Sequence, residues 1–449
     1  MVVSSLLFSI LKLSLLTGSS VVTAASISRE PSLIKLPIIS RNVIARENFN
    51  VSLLRRDGAL SSAPIFDWYT QYLVGIGIGT PAQQFQLILD TGSTELWVAS
   101  EDCPSFECPS TPFITYDSST FNYLDDTLDL SYGTGTVIGQ YGTDVVTLAG
   151  IQVQNQKFGL AEMQQGILHP REVTVNTGNK EEPSTVRVDG ILGFGYQNMN
   201  AQDKTDSPSA NLFYHMIQQN LIKEAVFSIS LGYKDERDAL GWSGELALGG
   251  ANTDLYTGSI EYAQVANKNE KTSEGWEVFL QDISITKEDG EATNIGFDKS
   301  YRTIIDTGTT LTYIKPEYAK KTLSALTGQT TYPVAHGRFE GLYVVDCNYH
   351  SSDVRVKFSY QSSTSKGSPI INVDVPVKSL IHPTDTNDLS TAKSCVWGIV
   401  EGAIIEATGE NIFIFGENIL RNTYLTFDAK NSQVGFSAAV GTTTKVTKS

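Results

Sequence analysis

Leu87-Ile88-Leu89-Asp90-Thr91-Gly92-Ser93-Thr94 and Thr303-Ile304-Ile305-Asp306-Thr307-Gly308-Thr309-Thr310 are two copies of one pattern, set 216 residues apart. Each copy runs an apolar stretch straight into an Asp, then a hydroxyl residue, a Gly and a second hydroxyl residue, before another apolar stretch begins. A single Asp-Thr-Gly has the composition of any tight turn. Two copies in matching apolar frames are not explained by turn chemistry, and they place each Asp at the end of a strand instead of on a solvated loop.

Around these copies the chain reads as β structure. At 449 residues it is too long for one compact core and suits two domains plus dispensable segments. With 41% hydrophobic and 18% charged residues it is an ordinary globular composition, and 37 glycines favour the many turns of a β protein. Short runs such as Gln71–Ile78, Phe85–Asp90, Val145–Leu148 and Phe227–Leu231 are separated by Gly, Pro, Asn and Asp, which predicts an all-β fold. Helical periodicity is confined to Asn211–Asn220 and Pro316–Leu326, the latter with Pro at its start. Gln164–Ser184, Tyr233–Trp242 and Asn267–Glu274 read as surface loops.

The chain resembles the pepsin-like aspartic proteases from about Tyr72 to Phe436. The resemblance is carried by both Asp-Thr-Gly copies, Gly77-Ile78-Gly79-Thr80-Pro81, Trp97, Tyr132-Gly133-Thr134-Gly135, Asp189-Gly190-Ile191-Leu192-Gly193, and Ile414-Phe415-Gly416-Glu417 before Phe427-Asp428, in the family's order. It implies a bilobal fold of two similar β-barrel-like lobes facing a central cleft, one catalytic Asp from each lobe, and peptide hydrolysis at acidic pH. Two carboxylates in one site repel when both are charged, so a single proton stays on the pair over a wide acidic range. The ionised member can then take a proton from a bound water while the other hydrogen-bonds the substrate carbonyl. Because the proton belongs to the pair, neither Asp90 nor Asp306 is assigned a permanent role as acid or base.

The resemblance assigns further roles. Gly92 and Gly308 let backbone approach the carboxylates, Ser93 and Thr309 bond their outer oxygens, and Thr91 and Thr307 interlock the two loops. Tyr132, Gly133 and Thr134 belong to a flap that folds over bound peptide, and Trp97 supports the Tyr132 hydroxyl. Thr134 stands where some microbial relatives that accept Lys before the cut carry Asp, which points to hydrophobic residues flanking the scissile bond. Ile191-Leu192-Gly193 and Phe413–Gly416 are expected as buried strands behind the two loops. Glu417 replaces the Asp of many relatives. A non-catalytic binding protein on this frame would lack a member of the dyad, and a paired-carboxylate glycosidase would not explain the repeated triplet.

The remaining features concern export and processing. An apolar stretch, Leu6–Leu16, interrupted by Lys12 and followed by small residues through Ala25, predicts a signal peptide over 1–25. Residues 26–56 form a basic segment ending in Arg55-Arg56, read as a pro-segment cut by a processing protease. Residues 57–236 and 237–449 are then the two lobes. The sequon Asn50-Val51-Ser52 falls inside the pro-segment. Four cysteines permit three pairings; Cys103 with Cys108 and Cys347 with Cys395 keeps each pair inside one lobe and is the pairing expected in an oxidising compartment. Cys103 and Cys108 have no His or second Cys pair near them, as a metal site would need. Net charge is -16, which disfavours nucleic acid and anionic membrane surfaces. The reading is a secreted monomer resembling fungal members, with a vacuolar or lysosome-like compartment as the alternative address. It needs no cofactor, metal or membrane span, and its partners are polypeptide substrates and the processing protease.

Overall fold

The computed structural model describes residues 33–43, 69–168, 175–176, 181–182, 188–197, 211–232, 240–266, 275–336, 340–365, 367–386, 389–402 and 413–449. The expected signal peptide, the sequon at Asn50, the pair Arg55-Arg56 and the stretch Asn267–Glu274 lie outside the described residues.

Each copy of the repeated pattern builds the same knot of strands. The strand Gln83–Asp90 alternates its side chains, so Leu87 and Leu89 enter the core with no exposure while Ile88 and Asp90 share the opposite face. Gly190–Gly193 lies parallel to it and antiparallel to Leu96–Ala99, which in turn runs parallel to Ile151–Gln165. The chain therefore leaves its strand at Asp90, turns, and returns as Leu96–Ala99 with Gly190–Gly193 threaded between the two. In the second half Tyr301–Ile305 lies parallel to Phe413–Phe415, which is antiparallel to Thr312–Ile314, itself parallel to Ile399–Glu401. Parallel strands covered on both faces need continuous apolar runs, which is why both threading strands read as they do in sequence.

The two lobes are joined below these knots. Among the described residues thirteen strands form one sheet, in which Val226–Ser230 pairs antiparallel with Thr423–Asp428, and nine form another. Phe227 stacks on Phe427 at 4.6 Å between ring centroids, with Trp276 at 5.2 Å from Phe427, and all three are fully buried. Burying such a ring contributes about 1.5–3 kcal/mol. Trp276 also ties the frames together. Its indole N–H donates to Phe194 O at 2.8 Å, Phe194 N donates to Asp90 O at 2.7 Å, and the Trp276 carbonyl accepts from Ile305 N at 3.0 Å.

Local differences from the sequence reading have physical causes. The helix expected over Asn211–Asn220 is Leu212–Gln218, because the Asn211 side chain caps it by accepting from Phe213 N and Tyr214 N. The second helix, Pro316–Thr327, stops at Gly328, whose φ of 73° only glycine adopts readily. Residues 240–242, expected in a loop, belong to the strand Leu240–Leu248, held by pairing of Leu240 with Arg41 and Trp242 with Ile39. That partner strand, Ile34–Val43, lies within the basic segment 26–56 and also pairs with Tyr69–Ile78. Leu36 and Ile38 are buried, so sheet pairing and apolar burial hold this part. Pro37, which lacks an N–H, sits where the strand has a partner on one side only. The Thr- and Lys-rich tail ends in a strand, Lys445–Lys448, added beside Ile370–Pro376. Disulfides join Cys103 to Cys108 and Cys347 to Cys395. No helix of the described residues is long and apolar enough to cross a membrane.

Candidate active site

The two Asp-bearing loops meet at the base of a cleft of about 500 Å3. Asp90 and Asp306 are 7% and 9% exposed. Gly92 N donates to Asp90 Oδ1 at 2.8 Å and Ser93 Oγ to Oδ2 at 2.5 Å; Gly308 N and Thr309 Oγ1 do the same for Asp306 at 2.8 and 2.5 Å. Both glycines are required by close approach. A Cβ on Gly92 would stand 2.6 Å from Asp306 Cγ, and one on Gly308 would stand 2.6 Å from Asp90 Oδ1. That same position on Gly308 lies 3.2 Å from Asp306 Oδ1, so both carboxyls border one small space. Burial first, and then the charge of Asp90, hold the Asp306 carboxyl well above the usual carboxylate range.

Beneath the carboxylates the loops lock together. Thr91 Oγ1 donates to Ile305 O at 2.6 Å and accepts from Thr307 N at 3.0 Å. Thr307 Oγ1 donates to Leu89 O at 2.7 Å and accepts from Thr91 N at 3.2 Å. Four buried bonds, each worth about 0.5–1.5 kcal/mol, fix the separation of the two carboxyls through the backbone that carries them.

The hairpin of Asn122–Ser131 and Thr136–Leu148 overhangs this base. Tyr132 and Gly135 exchange both backbone bonds, at 2.7 and 3.2 Å, which leaves Gly133 and Thr134 at the tip. Gly135 lies flush on the neighbouring strand, where a Cβ would meet Gln165 O at 1.7 Å. The Tyr132 hydroxyl accepts from Trp97 Nε1 at 2.9 Å, and Ser93 gives its proton to Asp90. The fully buried indole of Trp97 thus anchors the flap tyrosine above the first Asp loop. Burial first, then the Asp90 charge, push the Tyr132 pKa up, so it stays a neutral phenol.

The cleft wall also holds residues that the sequence reading passes over. Ile88 and its register partner Ile191 line it from the first lobe, Ile304 and its partner Ile414 from the second. Their signal was available: Ile88 and Ile304 each stand two residues before the Asp, hence on the same strand face. Glu95 and Asp129 line it as well, and an isolated acid in a polar stretch carries no pattern that marks it. Glu417 is not on this wall; it is 2% exposed, and its N–H donates to Thr309 O at 2.8 Å behind the second loop.

Residues 71–439 match the family model "Eukaryotic aspartyl protease". The chain is 31% identical over 373 residues to gastricsin of Oryctolagus cuniculus, covering 82% of this chain and 81% of that protein. It is 30% identical over 370 residues to pepsin A of Sus scrofa, with the same coverage. The fold is like that of an aspartic proteinase from Irpex lacteus, with a TM-score of 0.63 at 22% identity, covering 92% of this chain and 99% of that one. The repeated Asp loops, the threaded strands and these matches together make the chain a member of the eukaryotic aspartyl protease family, an aspartic-type endopeptidase that hydrolyses polypeptides.

Proposed function

We propose that this enzyme cuts internal peptide bonds at acidic pH with a water held between Asp90 and Asp306, and that it prefers an apolar side chain on each side of the scissile bond. The carboxyl pair, each member against the other loop's glycine and close enough for the charge of Asp90 to raise the Asp306 carboxyl, carries the reading. With one shared proton, the ionised carboxylate takes a proton from water as its oxygen bonds to the carbonyl carbon, and the protonated partner gives its proton to the carbonyl oxygen. The resulting gem-diol collapses as its C–N bond breaks. One diol hydroxyl returns its proton to the dyad, the leaving nitrogen receives a proton from the dyad, and the pair again holds one. No covalent bond to the enzyme forms.

The apolar preference follows from the two isoleucine pairs, one from each lobe, which suit one apolar side chain apiece. Tyr132 and the tip residues Gly133 and Thr134 act as a lid over the peptide, excluding water from the base of the cleft. We further propose that the product is secreted, and that residues 26–56 are a pro-segment released by cleavage after Arg56. The apolar start of the chain, the two disulfides and the dibasic pair support this.

Substitution tests the dyad. Asp90→Asn and Asp306→Asn, each shown folded by circular dichroism, are expected to lower kcat/KM for a peptide with apolar residues flanking the cut by at least about 10^3-fold. Cleavage that survives Asp306→Asn overturns the assignment.

A further inference from the structure

We infer that His382 sets the acid limit of the second lobe, because its neutral imidazole props the segment that follows the Asp306 loop and protonation removes that support. His382 sits in the short strand Ile381–Pro383, paired with Val396 of Cys395–Trp397, and is 5% exposed. Its Nε2 is buried and has no hydrogen-bond partner in the protein. The ring lies flush on Gly398, where a Cβ would stand 2.7 Å from His382 Nε2 and 2.6 Å from Asn418 Nδ2. Gly398 is a junction of the second lobe. Its carbonyl accepts from Thr312 N at 3.0 Å and from Asn418 Nδ2 at 2.9 Å. Asn418 in turn accepts from Thr312 Oγ1 at 2.8 Å and donates its N–H to Thr310 O at 3.2 Å. A displaced ring therefore disturbs Thr310 and Thr312, which continue the chain directly from the loop that carries Asp306.

The surroundings suit the neutral ring. A protonated imidazole carries a donor on each nitrogen, and at Nε2 the added proton meets Gly398 and the Asn418 amide nitrogen, itself a donor. Among the charged groups on the elements packed round the ring, Arg421 acts on it. Its guanidinium is held close by donating to Ser379 O at 3.2 Å, and its charge opposes a second cation. Glu417, at the start of the same short helical segment, is 2% exposed. Lys378 of Val377–Leu380 and Asp346 at the cap of Cys347–Ser351 are exposed, His350 of that turn is half-buried, and Cys395–Trp397 carries no charged side chain. Burial first, then Arg421, push the His382 pKa down to about 3. The unfolded chain takes up this proton near the ordinary histidine value of about 6.5. Between the two values the unfolded state binds more protons, so stability falls as pH falls, and below the lower value the folded lobe itself must hold the charge.

Comparison with His382→Gln, which cannot take up the proton, tests this. Urea unfolding of both proteins is followed in an Asp90→Asn background, so that self-cleavage does not contribute. Between about pH 6 and pH 4 the unfolding constant of the protein with His382 is expected to rise about 50- to 100-fold more than that of His382→Gln. Rises that agree within about 3-fold overturn the inference. The active enzymes are also held dilute at about pH 2.5 and assayed at about pH 5, where His382→Gln should keep its activity at least about 10-fold longer. Equal half-lives overturn the inference as well. Should His382→Gln fail to fold, the assigned imidazole resonance of His382 in the folded Asp90→Asn protein decides. It is expected to hold its neutral position from about pH 7 to pH 4, and a titration midpoint above about pH 5 overturns the inference.

Discussion

In the loop after Gln83–Asp90 and in the loop after Tyr301–Ile305, the same two kinds of donor make the same bonds at the same lengths: a glycine amide at 2.8 Å and a hydroxyl at 2.5 Å on each carboxylate. Their surroundings differ. The first loop leads into Glu95 and Trp97 and lies under the flap, bonded to Tyr132 through Trp97. Among the described residues the second contributes to the cleft the Asp loop itself, Thr310 and the isoleucine pair, with Glu417 buried behind it. The chemistry is therefore built symmetrically and substrate capture asymmetrically. Changes inside the shared device should have equal effects on the two sides, and changes to the flap should act through the first lobe alone.

The largest effects test the symmetry. Gly92→Ala and Gly308→Ala each drive a methyl into the opposite carboxyl, and both should lower kcat/KM by about 10^2-fold or more, since displacement of a reacting group by about 1 Å has that consequence. A loss on one side only would show that the two loops are not equivalent. A smaller effect tests the asymmetry. Tyr132→Phe removes the acceptor for Trp97 and is expected to lower kcat/KM by about 10-fold, mainly through KM, with little change in the melting temperature. An unchanged KM would remove the flap from substrate binding. The smallest effect is on stability. Thr91→Val and Thr307→Val each leave a buried carbonyl, Ile305 O or Leu89 O, without its donor and should each lower stability by about 1–3 kcal/mol in urea titrations. Unequal values would mean that the interlock bears on one loop more than the other.

The shared device was legible in sequence because it is written twice and each copy is framed by apolar strands. The surroundings were less so. Glu95 accepts from the hydroxyl of Tyr141, 46 residues away in sequence, a contact that no local pattern announces. The threading of Gly190–Gly193 and Phe413–Phe415 appears as apolar runs, but the parallel pairing that creates the knot has no local signature. Ile34–Val43 lies in a segment whose basic charge dominates its reading, yet Ile34, Leu36 and Ile38 alternate with Lys35 and Pro37 in the period of a strand, and the sheet uses that alternation. The tail strand Lys445–Lys448 rests on pairing with Ile371–Asp374 and not on its own polar composition.

The pH dependence of kcat/KM from pH 2 to 8, on a neutral peptide, bears most directly on the shared proton. The Asp306 carboxyl is held above its ordinary range by burial and by Asp90, so the pair keeps its proton through acidic pH and surrenders it as pH rises through that raised value. Activity should therefore be highest in acid and fall toward neutrality along a single-proton limb. Activity that instead climbs through the acidic range to a neutral plateau would contradict catalysis by a singly protonated pair.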